Sequence, residues 1–146
     1  MLVNQRGLTV IELMIVIVIV GILASIAAPS FRNILATVRI KTAASDIHLS
    51  LMRARSEAIK RNTNITTAAP SGWVAGWTVS DGIETHAAIG GSGIAISGAT
   101  TIIYTPNGRV TANPINISLT STDTTVARCV SVSLGGQPII KPEACS

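Results

Sequence analysis

Residues 5–24 read QRGLTVIELMIVIVIVGILA, and this stretch decides the architecture of the chain. Glu12 is the only charged residue between Arg6 and Arg32, and it lies at the start of a long apolar run. A carboxylate facing lipid on a helix costs about 2.5–3.5 kcal/mol on insertion scales, so we expect Glu12 to have a functional partner. Together with residues 8–11, the run approaches the roughly 20 residues that a membrane-spanning helix requires.

A short polar leader ends in Gly7, directly before the apolar segment. Ordinary secretory signals instead carry a small-residue cleavage site after their apolar region. A cut between Gly7 and Leu8 would leave the apolar helix in the product and create a charged amine at Leu8, within reach of Glu12. The alternative is a signal-anchor helix in which the acid is incidental.

This segment resembles the class III signal of type IV prepilins and of type II secretion pseudopilins. The resemblance implies that a prepilin peptidase cuts after Gly7 and methylates Leu8, and that Glu12 is the acidic residue of the family. It also implies that Gly21 and Pro29 are the residues that loosen the helix. The chain departs from the family at Leu8, where Phe is commonest. In a filament, Glu12 of one subunit would neutralise the Leu8 amine of another, and breaking such a buried pair costs about 3–5 kcal/mol.

The composition allows one domain beyond the apolar segment. The chain has 146 residues, a net charge of +4 and a sequence pI of about 9.7, with the basic excess concentrated between Arg32 and Arg61. Such a segment could face nucleic acid, anionic lipid headgroups or acidic neighbours.

We predict a leader at 1–7, a transmembrane polymerisation helix at 8–29, an amphipathic half-helix at 30–62 and a β-rich domain at 63–146.

Helical spacing resumes after Pro29, which kinks long helices without ending them. Apolar residues recur at three- and four-residue steps and predict one buried stripe: Ile34, Val38, Ala44, Ile47, Leu51, Ala54 and Ala58. We therefore predict one long helix over 8–61 that stops near Asn62.

Beyond the helix, short runs rich in Thr, Val and Ile alternate with turn signals, which predicts strands. The candidate strands are 65–69, 73–79, 94–96, 101–105, 109–111, 115–119, 129–134 and 138–140. Asn107-Gly108 between two apolar runs is a strong hairpin signal. The expected fold class is α+β, pilin-like, with the helix packed on a C-terminal antiparallel β-rich domain.

Further stretches extend the resemblance to the GspH and FimT/FimU subgroup of minor pilins and pseudopilins: residues 51–62, residues 72–77 and the turn at 107–109. This implies a structural subunit, not an enzyme, that helps to initiate or cap a type IV pilus, or a minor pseudopilin of type II secretion. The implied partners are minor and major pilins or pseudopilins, the prepilin peptidase, the inner-membrane assembly platform and membrane lipid. The resemblance implies a protein that crosses the inner membrane once, with its domain in the periplasm. It implies that the protein then moves into the pilus or pseudopilus. A tethered domain that never polymerises is a third possibility.

Catalytic, metal or cofactor chemistry is not expected. His48 and His86 have no sequence signature that joins them to a nucleophile, and we interpret both as solvated. Trp73 and Trp77 are interpreted as core covering the helix, against the alternative of a stacking platform for bases. The even count of cysteines in an exported domain favours one disulfide between Cys129 and Cys145 over a two-thiol metal site.

DNA binding is the rival function. Its candidate contacts are Arg53, Arg55, Lys60, Arg61 and Arg109, although such a cluster is ordinarily a solvated helix face. The FimT-like resemblance implies a basic Gly-Arg-x-Arg element near the C-terminus, and this chain has Gly135-Gly136-Gln137-Pro138 there instead. Because phosphate contact needs cationic side chains, we do not favour DNA as a partner.

Overall fold

The computed structural model describes residues 9–80, 84–86, 88–89, 93–112 and 114–145. The predicted leader and its junction, Gly7 and Leu8, lie outside these residues. The first element is one long helix, α1, over Val10–Arg61. Asn62 ends it in the left-handed conformation with φ 51°, which agrees with the predicted stop.

The helix is continuous through Gly21 and Pro29. The segment after Pro29 therefore extends the same rod, as the spacing of its apolar residues predicts. Loosening at these two residues stays a prediction for the membrane or the filament.

The rest of the described chain forms two antiparallel four-stranded sheets, with strand orders β3-β2-β1-β5 and β4-β6-β7-β8. The strands are β1 Ile65–Ala68, β2 Trp77–Val79, β3 Glu84–His86, β4 Ile94–Gly98, β5 Thr101–Tyr104, β6 Ile115–Ser121, β7 Arg128–Val132 and β8 Pro138–Lys141. This confirms the predicted α+β class, with an N-terminal apolar helix and antiparallel sheets.

Both sheets pack on one face of the second half of α1, and this is the core of the domain. The buried helix residues are mostly small, which lets the strands approach the backbone closely: Ala36, Ile40, Ala43, Ala44, Ile47, Ser50, Leu51, Ala54 and Ala58. Five members of the predicted stripe are in this set. Ile34 and Val38 are not, being 58% and 53% exposed, because burial starts at Ala36 and they lie on another face of the helix.

Two predicted strands are wrong in detail. The segment 73–79 is a 3-10 turn over Trp73–Ala75 followed by β2, because Gly76 between them has φ 106°, which an extended strand does not tolerate. The segment 109–111 contributes only one bridge, between Val110 and Tyr104. The chain does reverse at Asn107-Gly108, as predicted, with Thr105 N–H donating to the Arg109 carbonyl at 2.8 Å.

Candidate functional site

The carboxylate of Glu12 lies at the exposed start of α1. Thr9 is the N-cap, and its backbone N–H and hydroxyl donate to Glu12 Oε2 at 3.2 and 3.1 Å. In return, the Glu12 N–H donates to the Thr9 hydroxyl oxygen at 3.3 Å. This reciprocal capping box holds the carboxylate over the first turn of α1.

The apolar half of α1 makes no contact with the rest of the described chain. Its window Val10–Ala27 has a mean hydropathy of 2.9 over 18 residues, and none of it is buried. It is long and apolar enough to cross a membrane. An exposed apolar surface of this length needs lipid or other helices around it.

The basic residues at the end of α1 are largely engaged within the chain. Arg55 Nε donates to the Gly108 carbonyl at 3.0 Å, and its Nη2 donates to the Gly135 carbonyl at 3.1 Å. Through these two hydrogen bonds, Arg55 connects the turns at Gly108 and Gly135 of the β-domain to α1. It is a structural residue, a role that the charge pattern alone did not reveal.

Glu57 partners two further basic residues on the same turn. Lys60 and Arg61 contact its carboxylate at 2.9 and 2.8 Å. The hydrogen bond from Lys60 lowers the pKa of the Glu57 carboxyl group most, and the one from Arg61 lowers it further. Arg53 and Arg109 stay candidates for external contact, and Arg53 already has an interaction within the chain.

An aromatic cluster lies between α1 and the first sheet. The rings of Trp73 and Trp77 are tilted with centroids 5.5 Å apart, and both residues are buried. Their indole N–H groups donate to the Ala99 carbonyl and the Ser50 hydroxyl, both at 2.9 Å. The tryptophans are core, as predicted.

The interpretation of His86 as a solvated loop residue is wrong. It lies in β3 and stacks on Trp77 at a centroid distance of 4.4 Å and an interplanar angle of 14°. The strand is only three residues long, so the sequence offered no alternation that would have revealed it. His48 is also half-buried, with its Nε2 3.2 Å from the Pro138 carbonyl oxygen.

The predicted disulfide between Cys129 and Cys145 is present, with the two Cα atoms 5.0 Å apart. It ties the C-terminal segment to β7, and the Cys145 N–H also donates to the hydroxyl of Ser118 in the neighbouring β6 at 3.4 Å. Within the described residues, no group of three or more His, Cys, Asp or Glu side chains is placed to hold a metal ion.

Two family profiles match the sequence. Residues 43–136 match "Type II transport protein GspH", and residues 2–28 match "Prokaryotic N-terminal methylation motif". The first match covers more than half of the chain. Together with the fold, it defines a type IV pilin-like or pseudopilin protein.

The chain belongs to the GspH family. It is 36% identical over 66 residues to "Fimbrial protein" of Pseudomonas aeruginosa, covering 45% of this chain and 43% of that protein. It is 36% identical over 106 residues to "Type IV major fimbrial protein FimA" of Dichelobacter nodosus, covering 63% of this chain and 61% of the relative. The chain therefore spans less than two thirds of the length of these curated relatives.

The fold is also that of a solved minor pilin. The crystal structure of the type IV minor pilin FimU of Pseudomonas aeruginosa PAO1 superposes with a TM-score of 0.63 at 20% identity, covering 73% of this chain and 97% of that one. A second crystal form of FimU gives a TM-score of 0.61. At this identity the likeness concerns the fold alone.

These findings set the class of function. Pilin and pseudopilin families are structural subunits, not enzymes, and their members interact with other pilins or pseudopilins. The N-terminal apolar helix and the methylation motif indicate membrane anchoring and assembly into a pilus or pseudopilus.

Proposed function

We propose that this chain is a minor pilin subunit that helps to initiate or cap the assembly of a type IV pilus. One observation carries the proposal. An exposed apolar helix with Glu12 in its first turn is joined to a small globular domain whose fold is that of a minor pilin. The helix supplies contacts with neighbouring helices, and the β-domain supplies partner surfaces at the end of the filament.

In this proposal the precursor enters the inner membrane with its leader in the cytoplasm and its β-domain in the periplasm. The prepilin peptidase then cuts between Gly7 and Leu8 and methylates Leu8. The new amine pairs with Glu12 of an adjacent subunit in an apolar bundle. The position of Glu12 in the exposed first turn of α1 supports this step, because its carboxylate is open to a neighbouring subunit apart from its bonds to Thr9.

Substitution of Glu12 tests the pairing. Glu12→Gln keeps an oxygen that can accept from Thr9 but removes the charge, whereas Glu12→Ala removes both. We expect both variants to insert in the membrane and both to be absent from sheared filaments. Normal incorporation of Glu12→Gln would show that charge pairing is not required.

Mass spectrometry of the mature chain tests the processing step. We expect a mass that lacks residues 1–7 and carries one added methyl group at Leu8. A chain that keeps its first seven residues in a cell assembling pili would overturn the subunit assignment and favour a tethered domain.

A role as a minor pseudopilin of a type II secretion system is the second candidate. It is favoured by the match of residues 43–136 to the GspH profile. Deletion of the gene separates the two candidates: loss of surface filaments with normal secretion supports the pilus, and loss of secreted proteins with normal filaments supports the pseudopilus.

A further inference from the structure

A pocket of about 310 Å³ opens between α1 and the edge of the first sheet. Arg39, Thr42 and Asp46 of α1 lie on one side of it, and Trp77, His86 and Ile89 lie on the other. The three helix residues follow one another at steps of three and four, so they share one face of α1.

The pocket holds two charges of opposite sign that the described part of the chain leaves unpaired. Arg39 and Asp46 are both half-buried, and neither makes an ion pair or a hydrogen bond with a described residue. They are seven residues apart, which places them about 10 Å apart along the helix and too far to satisfy each other. Partial removal of a charge from water without a partner is unfavourable. A ligand that brings a negative charge to Arg39 and a positive charge to Asp46 would therefore be bound favourably in this pocket.

The wall opposite these charges is held by hydrogen bonds and a ring stack. Trp77 is fixed by its hydrogen bond to Ser50, and His86 is stacked on it. The Ile89 N–H donates to the Val74 carbonyl at 2.9 Å, which holds the far side of the pocket. A preformed wall lowers the entropy that a partner must lose on binding.

The pocket is continuous with the exposed face of the helix. Val38 lines its rim and is itself exposed, and Ile34 and Phe31 continue the exposed apolar surface towards the apolar half of α1. A neighbouring subunit that packs along this exposed face of α1 would also contact the pocket. This continuity favours a neighbouring subunit as the occupant.

We propose that this pocket docks a segment of a neighbouring pilin-like subunit that presents an acidic side chain to Arg39 and a basic side chain to Asp46, about 10 Å apart. Between them, an apolar or planar side chain packs against the half-buried His86 and Ile89. The order of the two charges selects the partner, because a segment with reversed charges meets repulsion at both ends. This proposal rests on the proposed function, since it needs a pilin-like neighbour in the membrane or the filament.

Site-specific cross-linking in the native host tests the pocket. The full-length chain carries the photo-reactive residue p-benzoylphenylalanine at Ala88, which is exposed and lines the pocket, or at Ala112, an exposed control outside it. We expect the probe at position 88 to yield a product with a pilin-like subunit, identified by its peptides, and the probe at position 112 to yield none with that subunit.

Charge reversal then tests the chemistry. Arg39→Glu and Asp46→Arg, each combined with the probe at 88, are expected to lower the yield roughly tenfold, as for a factor of ten in affinity. Lys41→Glu, on the same helix but outside the pocket, should leave the yield unchanged. Reversal of the matching charge on the cross-linked partner segment should restore the yield of Arg39→Glu. Formation of the disulfide and membrane insertion show that each variant folds.

The outcomes separate the two proposals. A wild-type chain that is present in sheared filaments but gives no pilin-like product at position 88 overturns the pocket and leaves the minor pilin role intact. A product insensitive to both reversals, or one formed with lipid or DNA, also overturns it. A chain absent from filaments overturns the minor pilin role, and the cross-link in the membrane fraction still decides the pocket.

Discussion

The indole N–H of Trp77 donates a 2.9 Å hydrogen bond to the hydroxyl of Ser50, between β2 and the buried face of α1. Both residues are almost fully buried, so water does not replace this bond when it is lost. It explains why a polar residue stands in the middle of the apolar face of the helix. It also fixes the wall of the pocket that we assign to a neighbouring subunit.

Replacement of Ser50 tests this relationship. Ser50→Ala leaves the Trp77 N–H buried without an acceptor, and we expect the free energy of unfolding to fall by about 1–3 kcal/mol. Tryptophan fluorescence of the full-length chain in detergent micelles follows the transition in denaturant. Ser56→Ala, on the exposed face of the same helix, is the matched control and should change stability little. An equal effect of the two substitutions would contradict the role of the bond.

The turn between β7 and β8 gives a second prediction, at Gly136. Gly136 has φ 77°, and a methyl group there would overlap the carbonyl oxygen of Gly108, which Arg55 also contacts. Gly136→Ala should therefore force the two turns apart and destabilise the chain by more than about 1 kcal/mol. Gly135→Ala is the control, because its methyl group would meet only the Ser133 hydroxyl at 3.7 Å. Comparable melting temperatures for the two variants would show that the turns are not in tight contact.

Much of the fold follows from local patterns in the sequence. The helix and its stop at Asn62 follow from periodicity and from a residue that tolerates the left-handed conformation. The reversal at Asn107-Gly108 follows from turn chemistry. The cysteine pair follows from the even count of cysteines in the sequence.

What the sequence did not reveal depends on contacts between distant parts of the chain. The division into two sheets is decided by pairings such as β1 with β5 and β4 with β6, which no local pattern encodes. Arg55 and His86 belong to the same class, because one reaches carbonyls far along the chain and the other stacks on a tryptophan. Periodicity also places Val38 on the predicted stripe, whereas the sheets cover a face of α1 that includes Ala36 and Ile40 and leaves Val38 exposed.

The disulfide gives a third prediction. Cys129 and Cys145 are 16 residues apart, and closing a loop of that size stabilises a chain by about 3 kcal/mol in the chain-entropy model. The double variant Cys129→Ser, Cys145→Ser should lose that amount in denaturant unfolding. A reductant should have the same effect on the wild-type chain and none on the double variant. Unchanged stability of the double variant would mean that the tail is held by other contacts.

DNA affinity gives a fourth prediction. Arg55 is occupied by two carbonyls, and Lys60 and Arg61 are occupied by Glu57, so few of the candidate basic residues can reach phosphate without breaking these contacts. We expect weak binding of the full-length chain to duplex DNA that disappears at physiological salt in a gel-shift titration. Arg109→Ala should reduce the residual binding more than Lys60→Ala. Tight, salt-resistant binding would favour the DNA-uptake function instead.

The buried phenol of Tyr104 gives the last prediction, which concerns alkaline pH. Tyr104 is the only tyrosine of the chain, so its ionisation can be read from the phenolate absorbance alone. Burial raises the pKa of Tyr104 from its ordinary value of 10.0 to about 12, although the positive charge of Arg55 acts to lower this pKa. In the described residues its hydroxyl has no hydrogen-bond partner, which is consistent with a group held in its neutral form.

The sign of the stability effect follows from linkage. Above its ordinary pKa the unfolded chain releases the phenol proton, while the folded chain keeps it until the raised pKa is reached. The free energy of unfolding should therefore fall as pH rises from about 10 towards 12. In the folded protein, the phenol of Tyr104 should ionise at the raised pKa. In concentrated denaturant, it should ionise near its ordinary pKa. Tyr104→Phe should remove this part of the pH dependence of unfolding. A folded Tyr104 that ionises at the same pH as the denatured chain would show that water reaches the phenol and that the helix and the first sheet are less tightly packed than the structure describes.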